Sequence, residues 1–194
     1  QRPAREMLVM VGNSSSARKG TAWSTPKHLL EQVDEPWART RIKSGLSSGE
    51  GLIYHVRDAS EEQQPIKERG RVIDYQTVIV DAGEPDKRLF IIEPELATLL
   101  KRMAGEGNSL SSVIREAWDS GNLSTLTRNS PMRSTGAHVS IIAHVTRGEL
   151  LRYLTETERG NGFANRFMWM RVRKSKHLPD GEAVPEQTLA PLAE

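Results

Sequence analysis

The segment Gly12-Asn13-Ser14-Ser15-Ser16-Ala17-Arg18-Lys19-Gly20-Thr21 follows a short apolar run, Leu8-Val9-Met10-Val11. Small residues let backbone N–H groups wrap an anion. A lysine can neutralise outer phosphates, and a hydroxyl just before a helix start can approach Mg²⁺. All these ingredients occur here in order, with Ser16, Arg18, Lys19, Gly20 and Thr21 in the phosphate-facing part. The spacing departs from the usual Gly-x-x-x-x-Gly-Lys-Ser/Thr: Lys19 comes one position late, and Gly20 separates it from Thr21. The plain alternative is a Ser/Gly-rich turn with two incidental cations.

Further chemistry sits after other apolar runs. Leu89-Phe90-Ile91-Ile92 leads into Glu93-Pro94-Glu95, where acids could hold Mg²⁺ through water and polarise an attacking water. Acids in the first turn of the next helix, favoured by its dipole, would look the same. Val139 to Ala143 leads into His144, Val145 and Thr146, which could sense a γ-phosphate or could be a buried histidine beside a helix cap. Arg166 precedes the last apolar run and could complete a nucleotide site in its own or a neighbouring subunit, or form a surface ion pair. From Arg159 to His177 there are six basic residues and no acid. Arg171, Arg173, Lys174 and Lys176 in this stretch are candidates for nucleic-acid contact, against a solvated charged face.

The elements that would position these groups alternate. Strands are expected at Leu8–Val11, 77–80, 89–92, 139–143 and 167–172. Helices are expected from Thr25-Pro26 to about Val33, after a Ser47…Glu50 capping box, over 96–103 and 110–118, and from Gly148 to about Glu158. Residues 59–71 are polar and are expected to form a mobile loop. This alternation predicts an α/β domain with a largely parallel central sheet flanked by helices, and any ligand then lies at the carboxyl ends of the strands. Residues after Val11, Ile92 and Ala143 should therefore face one crevice. The four tryptophans are too scattered to be base-stacking platforms and are expected to pack.

Composition narrows the classes. The 194 residues carry 27 Lys+Arg against 25 Asp+Glu, which excludes a histone-like polycation. The absence of cysteine excludes a disulfide scaffold, a thiolate zinc site and a cysteine nucleophile, and fits a cytoplasmic setting. No apolar run approaches the roughly 18 residues of a membrane span. No signal-peptide core follows Gln1, and the start without Met is expected of a fragment cut from a longer chain.

The motifs Ser16-Ala17-Arg18-Lys19-Gly20-Thr21-Ala22-Trp23, Gly45-Leu46-Ser47-Ser48-Gly49-Glu50-Gly51-Leu52, Ile92-Glu93-Pro94-Glu95 and Gly162-Phe163-Ala164-Asn165-Arg166-Phe167 occur in this order. Together they resemble the P-loop ATPase domain of uncharacterised primase- and helicase-associated proteins of phages, plasmids and integrated elements, over about residues 7 to 178. The resemblance implies a RecA/AAA-like P-loop NTPase over 1–178, with 179–194 a Pro-rich tail. It implies ATP and Mg²⁺ as cofactors, DNA as partner, a homo-oligomer, and a neighbouring primase or replication module. Gly12 and Lys19 would bind phosphate, Thr21 would approach Mg²⁺, and Glu93 would be the metal-side acid. Glu95 would be the catalytic acid, His144 would stand where relatives carry a Gln sensor, and Arg166 would be the arginine finger. The late Lys19 and the Glu-Pro-Glu in place of an Asp-Glu pair keep a non-hydrolysing nucleic-acid-binding adaptor open as the alternative.

Overall fold

The computed structural model describes residues 5–13, 23–125, 131–173 and 184–193. Five strands form one sheet, all parallel: β1 (Met7–Gly12), β2 (Ile42–Lys43), β5 (Arg88–Glu93), β8 (His138–Thr146) and β9 (Met168–Arg171), in the order β2-β5-β8-β1-β9. The expected α/β architecture is therefore present. Continuous apolar stretches such as Met7-Leu8-Val9-Met10-Val11 suit strands flanked by other strands and packed between layers.

From β1 the chain crosses to the far edge at β2, and every later crossing runs back the other way. With right-handed crossovers, the helices after β1 lie on one face and those after β2, β5 and β8 on the other. The first group is α1 (Ser24–Val33) and α2 (Glu35–Arg41), with α8 (Glu186–Ala193) against α1. The second is α3 (Gly49–Tyr54), α4 (Leu96–Met103), α5 (Leu110–Asp119), α6 (Arg147–Tyr153) and α7 (Glu156–Gly160). The two layers are unequal. Leu52, Ile53, Leu99, Leu100, Leu110 and Ile114 are sealed against Val9, Ile91 and Ile141 on the second face, whereas α1 has no buried residue. The first face keeps an open groove of about 1040 Å³ over Leu8, Phe90 and Ile142.

Several local expectations are corrected. Residues 59–71 are not a loop: β3 (Ser60–Glu68) pairs antiparallel with β4 (Arg71–Asp81) in a separate two-stranded ribbon. Thr77–Val80 therefore belongs to that ribbon and not to the central sheet. Polar β3 is held by its cross-strand partner, which a single-strand pattern does not reveal. The first helix starts at Ser24 after Trp23, without a Thr25 cap, and α2 is an extra helix, capped by Asp34 through the Trp37 N–H. Ser48, not Ser47, caps α3 by accepting from Gly51 N–H, and Glu50 accepts from the Ser109 hydroxyl instead of closing a capping box. The expected helix from Gly148 to Glu158 is two short helices, because Thr155 opens a new one. Residues 186–193 of the tail are helical. A further small pair joins β6 (Leu123–Ser124) to β7 (Arg133–Ser134).

A polar knot fixes the ribbon's base. Arg57 grips Asp81, Lys87 binds Asp58 and the carbonyls of Val56 and Arg57, and Asp58 accepts from Thr135. Arg41, 4% exposed, donates to the carbonyls of Arg88 and His55 and pairs with Glu84 at 2.8 Å. These groups adjoin the starts of β5 and β8, so the ribbon leaves from the amino edge of the sheet.

Candidate nucleotide site

Register places three of the expected groups on one edge. Gly12 lies opposite Thr146 and Glu93 opposite Ala143, so the ends of β1, β5 and β8 open together at the carboxyl edge. β1 and β8 are neighbours whose onward connections leave on opposite faces, the situation in which open α/β sheets form a crevice. Ser16, Arg18, Lys19, Gly20 and Thr21 lie outside the described residues, as do Lys174 and Lys176.

Glu93 is buried and already engaged. Its Oε1 accepts the Leu46 N–H at 2.7 Å, and the Gly45 N–H also points to the carboxylate. Burial pushes its carboxyl up from the ordinary value, while these two donors and the Arg102 charge pull it back. Arg102 completes the brace by donating to the Leu46 carbonyl at 2.6 Å. Glu93 thus clamps the loop after β2, where Gly45 takes a left-handed φ of 81°. The carboxylate expected on the metal side is thus engaged by backbone donors of this loop. Among the described residues no group of three or more His, Asp or Glu side chains could hold a metal ion.

Glu95 is different. It is exposed at the N-cap of α4, where its carboxylate accepts from the Thr98 hydroxyl at 3.3 Å. An exposed carboxylate on a helix start, just past the end of β5, can accept a proton from water. His144 is buried on β8, in register with Met10. Alternation along the sheet turns it to the α1 face, whereas Glu93 turns to the α4 face. The two do not converge on one point. Thr146 caps α6 in a full capping box with Glu149.

Arg166 lies at the wrong end for a site in its own chain. Met168, two residues on, is in register with Leu8 near the start of β1, four residues or roughly 13 Å short of Gly12. Its guanidinium binds the Asp119 carboxylate at 2.8 Å and the Gly162 carbonyl, above the Trp118 ring. The expectation that it completes the nucleotide site in its own subunit is therefore corrected.

Arg171 and Arg173 do reach the carboxyl edge. Arg171 is in register with Val11, the next residue's N–H donates to the Val11 carbonyl, and both arginines are exposed. Among the described residues no carboxylate pairs with either. They stand beside the end of β1, so their positive potential acts on the same edge as Gly12. Sequence spacing gave no sign of Arg102 or of the Gly45–Leu46 donors, because Leu46 lies 47 residues from Glu93 and 56 from Arg102. Trp23, Trp37 and Trp169 pack on Phe90 and Phe167, as expected of packing residues. No protein-family model matches the chain, and no curated protein is significantly similar to it.

Proposed function

We propose that the chain is a P-loop ATPase domain that couples ATP hydrolysis to work on DNA during replication of a mobile genetic element. The observation that carries this is the carboxyl edge: the second strand from one side of a parallel sheet ends at Gly12, and the exposed acid Glu95 follows the end of β5, with β8 between the two strands. A RecA/AAA-like arrangement is compatible with that sheet. Lys19 and the loop's backbone N–H groups would hold the β- and γ-phosphates, and Arg171 and Arg173 would add positive potential beside them. Mg²⁺, through Thr21, would neutralise charge on the phosphates. Glu95 would take the proton from the attacking water. Arg166 retains only a role across an interface, after release from Asp119, and an arginine supplied in that way is worth on the order of 10³–10⁵ in rate.

The test is equilibrium binding of a fluorescent ATP analogue with Mg²⁺, comparing the unaltered chain with Lys19→Ala and Glu95→Gln. Lys19→Ala should lose binding at least tenfold. Glu95→Gln should bind normally and lose turnover. Absence of binding by the unaltered chain would refute the proposal.

One finding favours the second reading, a nucleic-acid-binding adaptor: Glu93 and Arg166 are both tied into the fold. On that reading DNA affinity falls with salt and with Arg171→Gln/Arg173→Gln, independently of ATP.

A further inference from the structure

Strain and positive charge meet at the tip of the ribbon. Glu68 and Arg71 form the last pair of its ladder, so Arg69 and Gly70 alone make the turn. Both are left-handed, with φ of 47° and 81°. A two-residue hairpin turn with positive φ at both positions favours Asn-Gly, Asp-Gly or Gly-Gly. Arginine at the first of them sets its Cβ against the backbone, a clash that glycine avoids. Among the described residues Arg69 is the only non-glycine residue with positive φ, and it forms no hydrogen bond or ion pair there. Its side chain brings the fold strain without a contact in return, and strain of this kind collects where a ligand is held.

Charge along the ribbon is divided in the same way. Lys67, Arg69 and Arg71 are its only cations, and all three are exposed. Glu68, the one acid of the tip, lies directly across from Arg71 and offsets its charge. Lys67 and Arg69 are left uncompensated. The base carries Glu61, Glu62 and Asp81 and no cation.

Distances separate these two ends. At about 3.3 Å per residue, the nine residues of β3 hold the tip roughly 30 Å from the base. Lys67 is in the second pair back from the turn, and Asp74 in the third, about 10 Å back. Glu62 and Glu61 lie in the seventh and eighth pairs, about 20 Å back or more. The major groove of duplex DNA admits a two-stranded ribbon and is about 8.5 Å deep. That depth takes in the turn and the first two pairs, with every cation of the ribbon, and leaves Asp74 at the rim and the basal acids outside.

We infer that the tip of the β3–β4 ribbon is a contact for duplex DNA, entering the major groove with Lys67 and Arg69 against its phosphates. The inference rests on the reading of DNA as a partner and on nothing about ATP. The ribbon leaves from the amino edge of the sheet, away from the carboxyl edge where nucleotide would be held, so its DNA contact needs none. The paired strands and the knot at the base fix the tip before contact, which lowers the ordering cost of binding.

The experiment is fluorescence anisotropy of a labelled duplex of about 24 base pairs with the purified chain, without nucleotide, from 50 to 200 mM salt. Two neutralised phosphates contribute about 1.8 to the slope of log affinity against log salt. Lys67→Gln/Arg69→Gly should lower the slope by about that amount, and its deficit should shrink about tenfold from 50 to 200 mM salt. The same variant should melt no lower than the unaltered chain, because glycine removes the strained Cβ. Affinity lost while stability is kept is a result that a merely structural tip does not give. If the unaltered chain does not bind the duplex at 50 mM salt, the inference and the reading of DNA as partner fall together. If it binds and the variant matches it in affinity and slope, the inference alone is overturned, and Arg171→Gln/Arg173→Gln then reads whether the carboxyl edge holds the DNA. A lowered Tm in the variant, or an equal loss on a single strand of the same length, overturns the inference as well.

Discussion

Replacement of Arg41 by alanine should be among the most damaging single changes to this fold. The side chain is 4% exposed and its fork serves three acceptors: the Arg88 carbonyl at 3.0 Å, the His55 carbonyl at 2.6 Å and Glu84 at 2.8 Å. Two partly buried carbonyls then lose a charged donor, at about 1 kcal/mol or more each. Glu84 remains about 29% exposed, so loss of its partner adds only about 1 kcal/mol after solvent screening. The total is about 3 kcal/mol, below the upper end for breaking a fully buried pair. For a chain of this size that lowers Tm by roughly 6–12 °C. Arg41→Lys keeps the charge for Glu84 but cannot span both carbonyls, and should cost about half as much. Urea unfolding of the unaltered chain, both variants and Glu84→Ala measures the series. An Arg41→Ala cost below about 1 kcal/mol, or Arg41→Lys matching the unaltered chain, would refute the assignment of a shared brace.

Glu93 should leave a signature in pH. Its folded carboxyl is raised above the ordinary 4.5, chiefly by burial, so the folded state holds its proton longer and stability falls as pH rises from that value to the raised one. Glu93→Gln should lose that slope, and parallel stability–pH curves for the two chains would count against it. Gly49→Ala should cost about 1–3 kcal/mol by overpacking, since an added Cβ would lie 2.5 Å from Ser109 Oγ and 2.7 Å from Val113 Cγ2. Gly51→Ala, facing only Ser48 Oγ at 3.3 Å, should be close to neutral in the same denaturation assay. Arg171→Gln/Arg173→Gln should weaken binding of the fluorescent ATP analogue several-fold if the two arginines act on the carboxyl edge. Unchanged binding assigns them elsewhere.

Four of the sheet's five strands were legible because they are short apolar runs with helices of 3.6-residue periodicity between them, and such patterns are local; the two-residue β2 (Ile42–Lys43) is too short to leave one. Leu96, Leu99, Leu100 and Met103 announce α4 and its buried face without any knowledge of what covers them. The ribbon was illegible for the opposite reason. Ser60 to Glu68 has no apolar alternation, and only pairing with Arg71 to Asp81 makes it a strand. At the site, position along the chain predicted that Gly12, Glu93 and Thr146 would share an edge, which follows from parallel topology. Orientation escaped it. That Glu93 turns to backbone donors of another loop, and that Arg166 finds Asp119, are facts of long-range packing with no trace in local spacing.

The ribbon leaves and re-enters the body at nearly one point. Gly83, at φ +66°, sits so close to the backbone of Asp58 and Ala59 that any side chain there would strike it. The distance a replacement linker must bridge is thus that of an ordinary tight turn. Residues 61–80 form a cassette: a short turn from Ser60 to Asp81 in their place keeps the Arg57–Asp81 pair and should leave the ends of α3 and β5 where they are. No strand of the central sheet is touched by the excision, so the body should be open to study without its projecting arm.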